Sequence, residues 1–212
     1  MTRPSHSGAG ALADEAEMSD HSEGQANPAT PPFVPDRSIA LVGMPGSGKT
    51  TMGRRIAKTL GLPFKDADSE IQAACGGRTV REIFAEWGEA EFRRIERQVI
   101  ARLLRSEGPI VLATGGGAYM NAETRALMRD VAVTLWLRAN FDVLLGRVIK
   151  KRSKRPLLAE DPRGALEKLL REREPLYAEA DITIESAAAP QSHTTETALA
   201  ALGRYFKERE NS

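Results

Sequence analysis

The sequence predicts an α/β domain built on a five-stranded parallel sheet with helices on both faces. Three observations carry that expectation. Short apolar runs alternate with stretches of helical periodicity along most of the chain. Several of those runs are apolar nearly throughout, as strands buried on both faces are. The first of them, Ile39-Ala40-Leu41-Val42, leads into Gly43-Met44-Pro45-Gly46-Ser47-Gly48-Lys49-Thr50, a complete G-x-x-x-x-G-K-T phosphate loop between a strand and a helix.

The first strand is expected at 38–42 and the first helix at 49–60. Between them, glycines let the backbone curl so that successive N–H groups converge on phosphate oxygens, and the helix N-terminus adds partial positive charge. Lys49 reaches the β- and γ-phosphates and the Thr50 hydroxyl is placed to ligate Mg²⁺. Gly46, Ser47, Gly48, Lys49, Thr50 and Thr51 are therefore the candidate contacts for a nucleoside triphosphate.

The second strand, at 63–68, ends in Asp66-Ala67-Asp68. Strand C-termini are where ligands bind in open α/β sheets, and the turn lets both carboxylates face the site. One acid suits Mg²⁺ and the other a substrate hydroxyl. Helix capping competes with that reading, because Asp68 precedes Ser69-Glu70 and could serve as an N-cap.

Helices are expected at 69–75, 79–86 and 89–105. In the last, Phe92, Ile95, Val99 and Leu103 form a core-facing stripe. Arg93 lies beside it with Glu96 three residues on, a spacing that can orient a guanidinium for bidentate carboxylate recognition. The same spacing also describes a solvated surface pair, which is worth little.

The third strand, at 109–114, runs into Thr114-Gly115-Gly116-Gly117. Three glycines at a strand end let backbone approach a ligand closely, whereas a simple turn seldom needs three. A helix at 121–129, a strand at 131–137 and a helix at 140–152 follow. Arg147, Lys150, Lys151, Arg152, Lys154 and Arg155 then crowd together before Pro156-Leu157-Leu158. No aromatic residues are interleaved for base stacking, so a mobile basic lid at about 147–160 fits better than a nucleic-acid patch. A helix at 163–173 places Arg173 at its end, and a strand at 181–185 and a helix at 195–207 complete the domain.

Residues 1–36 differ in kind. Asp14, Glu15, Glu17, Asp20, Glu23 and Asp36 stand against a single Arg3, a net charge of about −5, and Pro28, Pro31, Pro32 and Pro35 close the segment. Such composition cannot bury enough apolar surface to offset chain entropy, so a disordered extension is expected, with one domain at 37–212. Overall the chain carries a net charge of +1, which gives no case for bulk attraction to nucleic acid or membrane. Its single cysteine, Cys75, excludes an internal disulfide, and no apolar run reaches the roughly 20 residues of a membrane span. Without a signal-like N-terminus, a cytoplasmic protein is expected.

Taken together, the motifs resemble those of the shikimate kinases. The resemblance covers about residues 37–210. It rests on the phosphate loop, the Asp-x-Asp strand end, Phe-x-x-x-Gly-Glu-x-x-Phe-Arg-x-x-Glu, Thr-Gly-Gly-Gly, Arg-Pro-Leu-Leu and Arg-x-Pro-Leu-Tyr, in that order. It implies the phosphate-loop kinase fold and transfer of the ATP γ-phosphoryl group to the 3-hydroxyl of shikimate. The implied enzyme is a monomer needing Mg²⁺ and neither nucleic acid nor membrane. By resemblance, Lys49 holds phosphate, Thr50 and Asp66 support the metal, and Asp68 binds ring hydroxyls and accepts the proton. Arg93 and Arg173 grip the carboxylate, with Glu96 orienting Arg93. Gly115, Gly116 and Gly117 touch the substrate through their backbone, Arg155 reaches the phosphates from the lid, and Phe84 and Phe92 form apolar walls. The competing readings are a gluconate kinase and a catalytically silent binding protein. The paired arginines with Thr-Gly-Gly-Gly weigh against the first. The joint presence of Lys49, Thr50, Asp66, Asp68 and Arg155 weighs against the second.

Overall fold

The computed structural model describes residues 31–105, 108–150, 161–186 and 191–211. Its elements in chain order are β1 (Ser38–Val42), α1 (Lys49–Leu60), β2 (Phe64–Asp66), α2 (Ala67–Ala74), α3 (Val80–Leu104), β3 (Val111–Ala113), α4 (Ala122–Val131), β4 (Ala132–Ala139), α5 (Phe141–Lys150), α6 (Pro162–Tyr177), β5 (Ile182–Ser186) and α7 (Gln191–Glu210). A short 3-10 turn, Ala118–Met120, follows β3. The strands pair in parallel in the order β2-β3-β1-β4-β5. The expected sheet is the one observed.

Alternation along each strand explains the apolar runs. On β1, Ile39 and Leu41 join Leu135 and Leu137 of β4 and Ile184 of β5 under α1 and α7, against Ile56, Leu202 and Phe206. Ala40 and Val42, with Leu112 of β3 and Trp136 of β4, face the opposite layer of Ile71, Ile83 and Ile100 from α2 and α3. Both faces are covered, so neither can be polar. β1 lies at the centre between β3 and β4. The loops that leave these strands therefore open a crevice at their C-terminal ends.

Several boundaries move for local reasons. β2 stops at Asp66, whose carboxylate caps α2 by accepting from the Ser69 N–H at 3.3 Å. The cap is thus Asp66, and Asp68 sits in the first turn of α2 instead of at the strand end. The helices expected at 79–86 and 89–105 meet end to end as α3. They are separated by a kink at Gly88, where φ is 80° and ψ 169°, a conformation that favours glycine. α3 starts with a capping box in which Thr79 and Glu82 satisfy each other's backbone N–H groups. α6 continues past Arg173 to Tyr177, with Pro175 tolerated near its end. Arg173 is consequently inside a helix, one turn before Tyr177.

The N-terminal boundary is also earlier than composition suggests. The Phe33 ring stacks on Phe206 of α7 with centroids 5.5 Å apart, and Pro35 is buried. Phe33 lies over Gly203, where a Cβ would come 3.2 Å from its ring. Phe33 and Pro35, expected in the disordered extension, therefore pack on the domain, while Val34 between them stays exposed. The rest of that extension lies outside the described residues. Among the described residues no helix is long and apolar enough to cross a membrane.

Candidate active site

The phosphate loop ends at Gly48, the N-cap of α1, with φ 108° and no side-chain cap. A helix N-terminus without a side-chain cap suits an anion. Lys49 is nearly buried, and its Nζ donates to the carbonyls of Gly43 at 2.8 Å and Met44 at 2.9 Å. Its charge is thereby held at the mouth of the loop. Ser47 Oγ is buried without a hydrogen-bond partner among the described residues, an orphan that a phosphate oxygen would satisfy. Arg147 of α5 donates from Nη1 to the carbonyls of Gly46 at 2.8 Å and Ser47 at 3.0 Å. The basic character of that helix was visible in the sequence; its docking on the phosphate loop was not.

Thr50 Oγ1 donates to Asp66 Oδ2 at 2.8 Å, joining the start of α1 to the tip of β2. Among the described residues no group of three or more His, Cys, Asp or Glu side chains could hold a metal. One hydroxyl and one carboxylate beside a phosphate loop fit Mg²⁺, which keeps waters and shares its coordination with substrate phosphates.

Opposite this pair, Asp68 and Glu96 converge on Gly115. A Cβ there would come 3.1 Å from Asp68 Oδ1 and 2.8 Å from Glu96 Oε1. Burial, and next the neighbouring Asp66 charge, push the Asp68 carboxyl above its ordinary range, against the pull of Lys49 and Arg93. Glu96 is 2% exposed and also raised, mainly by burial, with Arg93 opposing. Its Oε2 accepts from Arg93 Nη1 at 2.8 Å. Burial works against the Arg93 charge, but Glu96 and Glu89 outweigh it and hold its pKa above the ordinary value. The pair is therefore no solvated surface contact. The guanidinium packs on the rings of Phe84 and Phe92, 5.8 and 5.2 Å from their centroids.

The glycine run is a meeting point. A Cβ on Gly117 would lie 2.5 Å from Arg93 Nη2. Arg173 Nη1 donates to the Gly116 carbonyl at 3.0 Å, and the Tyr177 hydroxyl donates to the same oxygen at 2.5 Å. Arg93 from α3 and Arg173 from α6, 80 residues apart in sequence, thus reach one loop. A single cleft is lined by Gly46, Gly48, Lys49, Thr50, Thr51, Asp66, Asp68, Gly115 and Gly116. Beside it, a smaller pocket behind Ser47 and Thr51 is lined by Arg55, Arg147, Ser186, Thr194 and Thr195. Arg155 and residues 151–160 of the expected lid lie outside the described residues.

A phosphate loop with a hydroxyl–carboxylate pair on one wall, and half-buried arginines around a glycine loop on the other, defines a phosphate-loop kinase of small metabolites. The shikimate kinase family model matches residues 45–202. A shikimate kinase of Bradyrhizobium diazoefficiens is 53% identical over 167 residues, covering 78% of this chain and 79% of that protein. One from Rhodopseudomonas palustris is 52% identical over 172 residues, covering 81% and 83%. Among solved structures, a shikimate kinase from Acinetobacter baumannii in complex with shikimate superposes with a TM-score of 0.72 at 37% identity. It covers 81% of this chain and 94% of that one. The chain belongs to the shikimate kinase family and is a phosphotransferase.

Proposed function

We propose that the two walls of the cleft divide the work of phosphoryl transfer between them. The activity is ATP-dependent phosphorylation of shikimate to shikimate 3-phosphate, in the shikimate pathway. The backbone of the phosphate loop and the Lys49 ammonium bind the ATP phosphates. Thr50 and Asp66 would hold Mg²⁺, which when bound neutralises charge on the transferring group. The pocket lined by Arg147, Thr194 and Thr195 receives the base side of the nucleotide.

On the other wall, Arg93 and Arg173 grip the shikimate carboxylate, and the glycine loop offers backbone N–H groups. Glu96 holds the Arg93 fork in place, and Phe84 and Phe92 fix it from the side. Asp68 accepts a hydrogen bond from the attacking hydroxyl and takes its proton. Arg155 closes over the phosphates from the lid. The enzyme acts as a cytoplasmic monomer, and its net charge of +1 gives it no bulk attraction to nucleic acid or membrane.

One observation carries this reading: two arginines from separate helices converge on the glycine run that also lines the phosphate cleft. A coupled assay of ADP release with shikimate, with gluconate and with no acceptor tests it. ADP release is expected with shikimate alone. Equal release with gluconate would contradict the acceptor, and equal release without any acceptor would reduce the protein to a nucleotide hydrolase.

A further inference from the structure

We propose that Tyr177 is a positioning residue for the acceptor: with Arg173 it fixes the Gly116 carbonyl and so aims the Gly117 N–H at the substrate carboxylate. The proposal rests on the reading that Arg93 and Arg173 hold that carboxylate. Tyr177 follows Arg173 by four residues on α6, so the two side chains share a helix face. Both donate to the one Gly116 oxygen, occupying its two acceptor directions.

A peptide between two glycines is the segment least restrained by its own side chains, and its plane turns cheaply unless something holds it. The peptide is planar and trans, so fixing the Gly116 carbonyl fixes the Gly117 N–H on the opposite side. Among the described residues neither the Gly116 nor the Gly117 N–H has a protein acceptor, and the Arg93 fork lies against Gly117. An anion placed there meets a backbone donor beside the guanidinium.

The Tyr177 ring cannot swing away. It is fully buried and stacked between Tyr119 and Trp136, with centroids 6.3 and 5.9 Å distant. Burial pushes its phenol up to about 12, against the pull of Arg173, so it remains a donor wherever the enzyme works. A phenylalanine would fill the same space. The hydroxyl is what the packing does not require.

Direct binding of shikimate and of its uncharged methyl ester to the wild-type protein, Tyr177→Phe and Arg173→Gln separates the possibilities. Tyr177→Phe is expected to weaken shikimate binding about tenfold, the effect of losing one hydrogen bond to a charged group. The ester should weaken less than about twofold, because the N–H has no carboxylate to meet. The acid-to-ester ratio is taken within one protein, so partial unfolding does not alter it. An unchanged ratio in Tyr177→Phe, with Arg173→Gln impaired, overturns the proposal and leaves the carboxylate site standing. An unchanged ratio in both variants overturns both. In the wild-type protein, hydrogen exchange of the Gly117 amide should slow with shikimate and not with the ester, and equal exchange in the two would also overturn the proposal.

Discussion

The Pro45 ring stands where a side chain on Gly116 would have to go. A Cβ built on Gly116 would lie 2.5 Å from both Cγ and Cδ of the proline, closer than such carbons come. The phosphate loop and the glycine loop are therefore in contact through backbone and ring, with no flexible side chain between to absorb a change. Donor and acceptor walls are set against each other at this point.

Gly116→Ala should displace one loop from the other and impair both substrates at once. A misplacement on the order of 1 Å costs about a hundredfold in turnover, so kcat should fall by about that factor while KM rises for ATP and for shikimate. Steady-state kinetics with each substrate varied in turn checks this. A loss confined to shikimate would mean that the phosphate loop does not feel the contact.

Asp68 should set the acid limb of the pH profile. Its carboxyl is raised above the ordinary 3.8 by burial and by Asp66. The base form is therefore lost as pH falls through a value above that of a free aspartate. The limb in kcat/KM for shikimate should sit correspondingly high. Asp68→Asn should remove the limb and lower turnover by about 10²–10⁴, the usual contribution of a general base. A variant that keeps both the wild-type limb and near-normal turnover would assign the proton to another group.

Much of this was legible in the sequence because it is local. The phosphate loop is a contiguous pattern, and sheet strands covered on both faces read as unbroken apolar runs. Arg93 and Glu96 were visible as an i, i+3 pair, but their burial depends on the glycine loop that arrives after β3, near Gly115. No local spacing carries that information. Arg173 looked like the end of a helix because Pro175 reads as a stop, yet α6 runs on to Tyr177. The hydrogen bond from Tyr177 spans 61 residues, and no pattern along the chain names that acceptor. The α2 cap fell to Asp66 and not to Asp68, since either acid could cap that helix by composition.

Phe33 was hidden by its neighbours, a stretch rich in proline and acid. Its stacking on Phe206 predicts that Phe33→Ala costs about 1–2 kcal/mol of stability, the value of a partly buried aromatic ring. Turnover of the folded protein should be unchanged, because α7 meets Phe33 far along the helix from Thr194 and Thr195. Removing residues 1–30 should leave both stability and turnover intact, whereas removing 1–35 should match the Phe33→Ala loss. Urea unfolding of the three proteins measures it. Equal stability of the two truncations would show that the Phe33 contact contributes nothing.

On the proposed division of the cleft, Arg93 serves the acceptor and not the nucleotide. Lysine at this position keeps the charge but cannot present the fork that Glu96 orients. The most direct measurement is the dissociation constant of Arg93→Lys for shikimate and, in the same preparation, for ATP. Shikimate binding should weaken by about a hundredfold, the loss of a bidentate charged contact, while ATP binding changes by less than about threefold. Equal weakening of both, or shikimate bound as tightly as by the wild-type protein, would contradict the account.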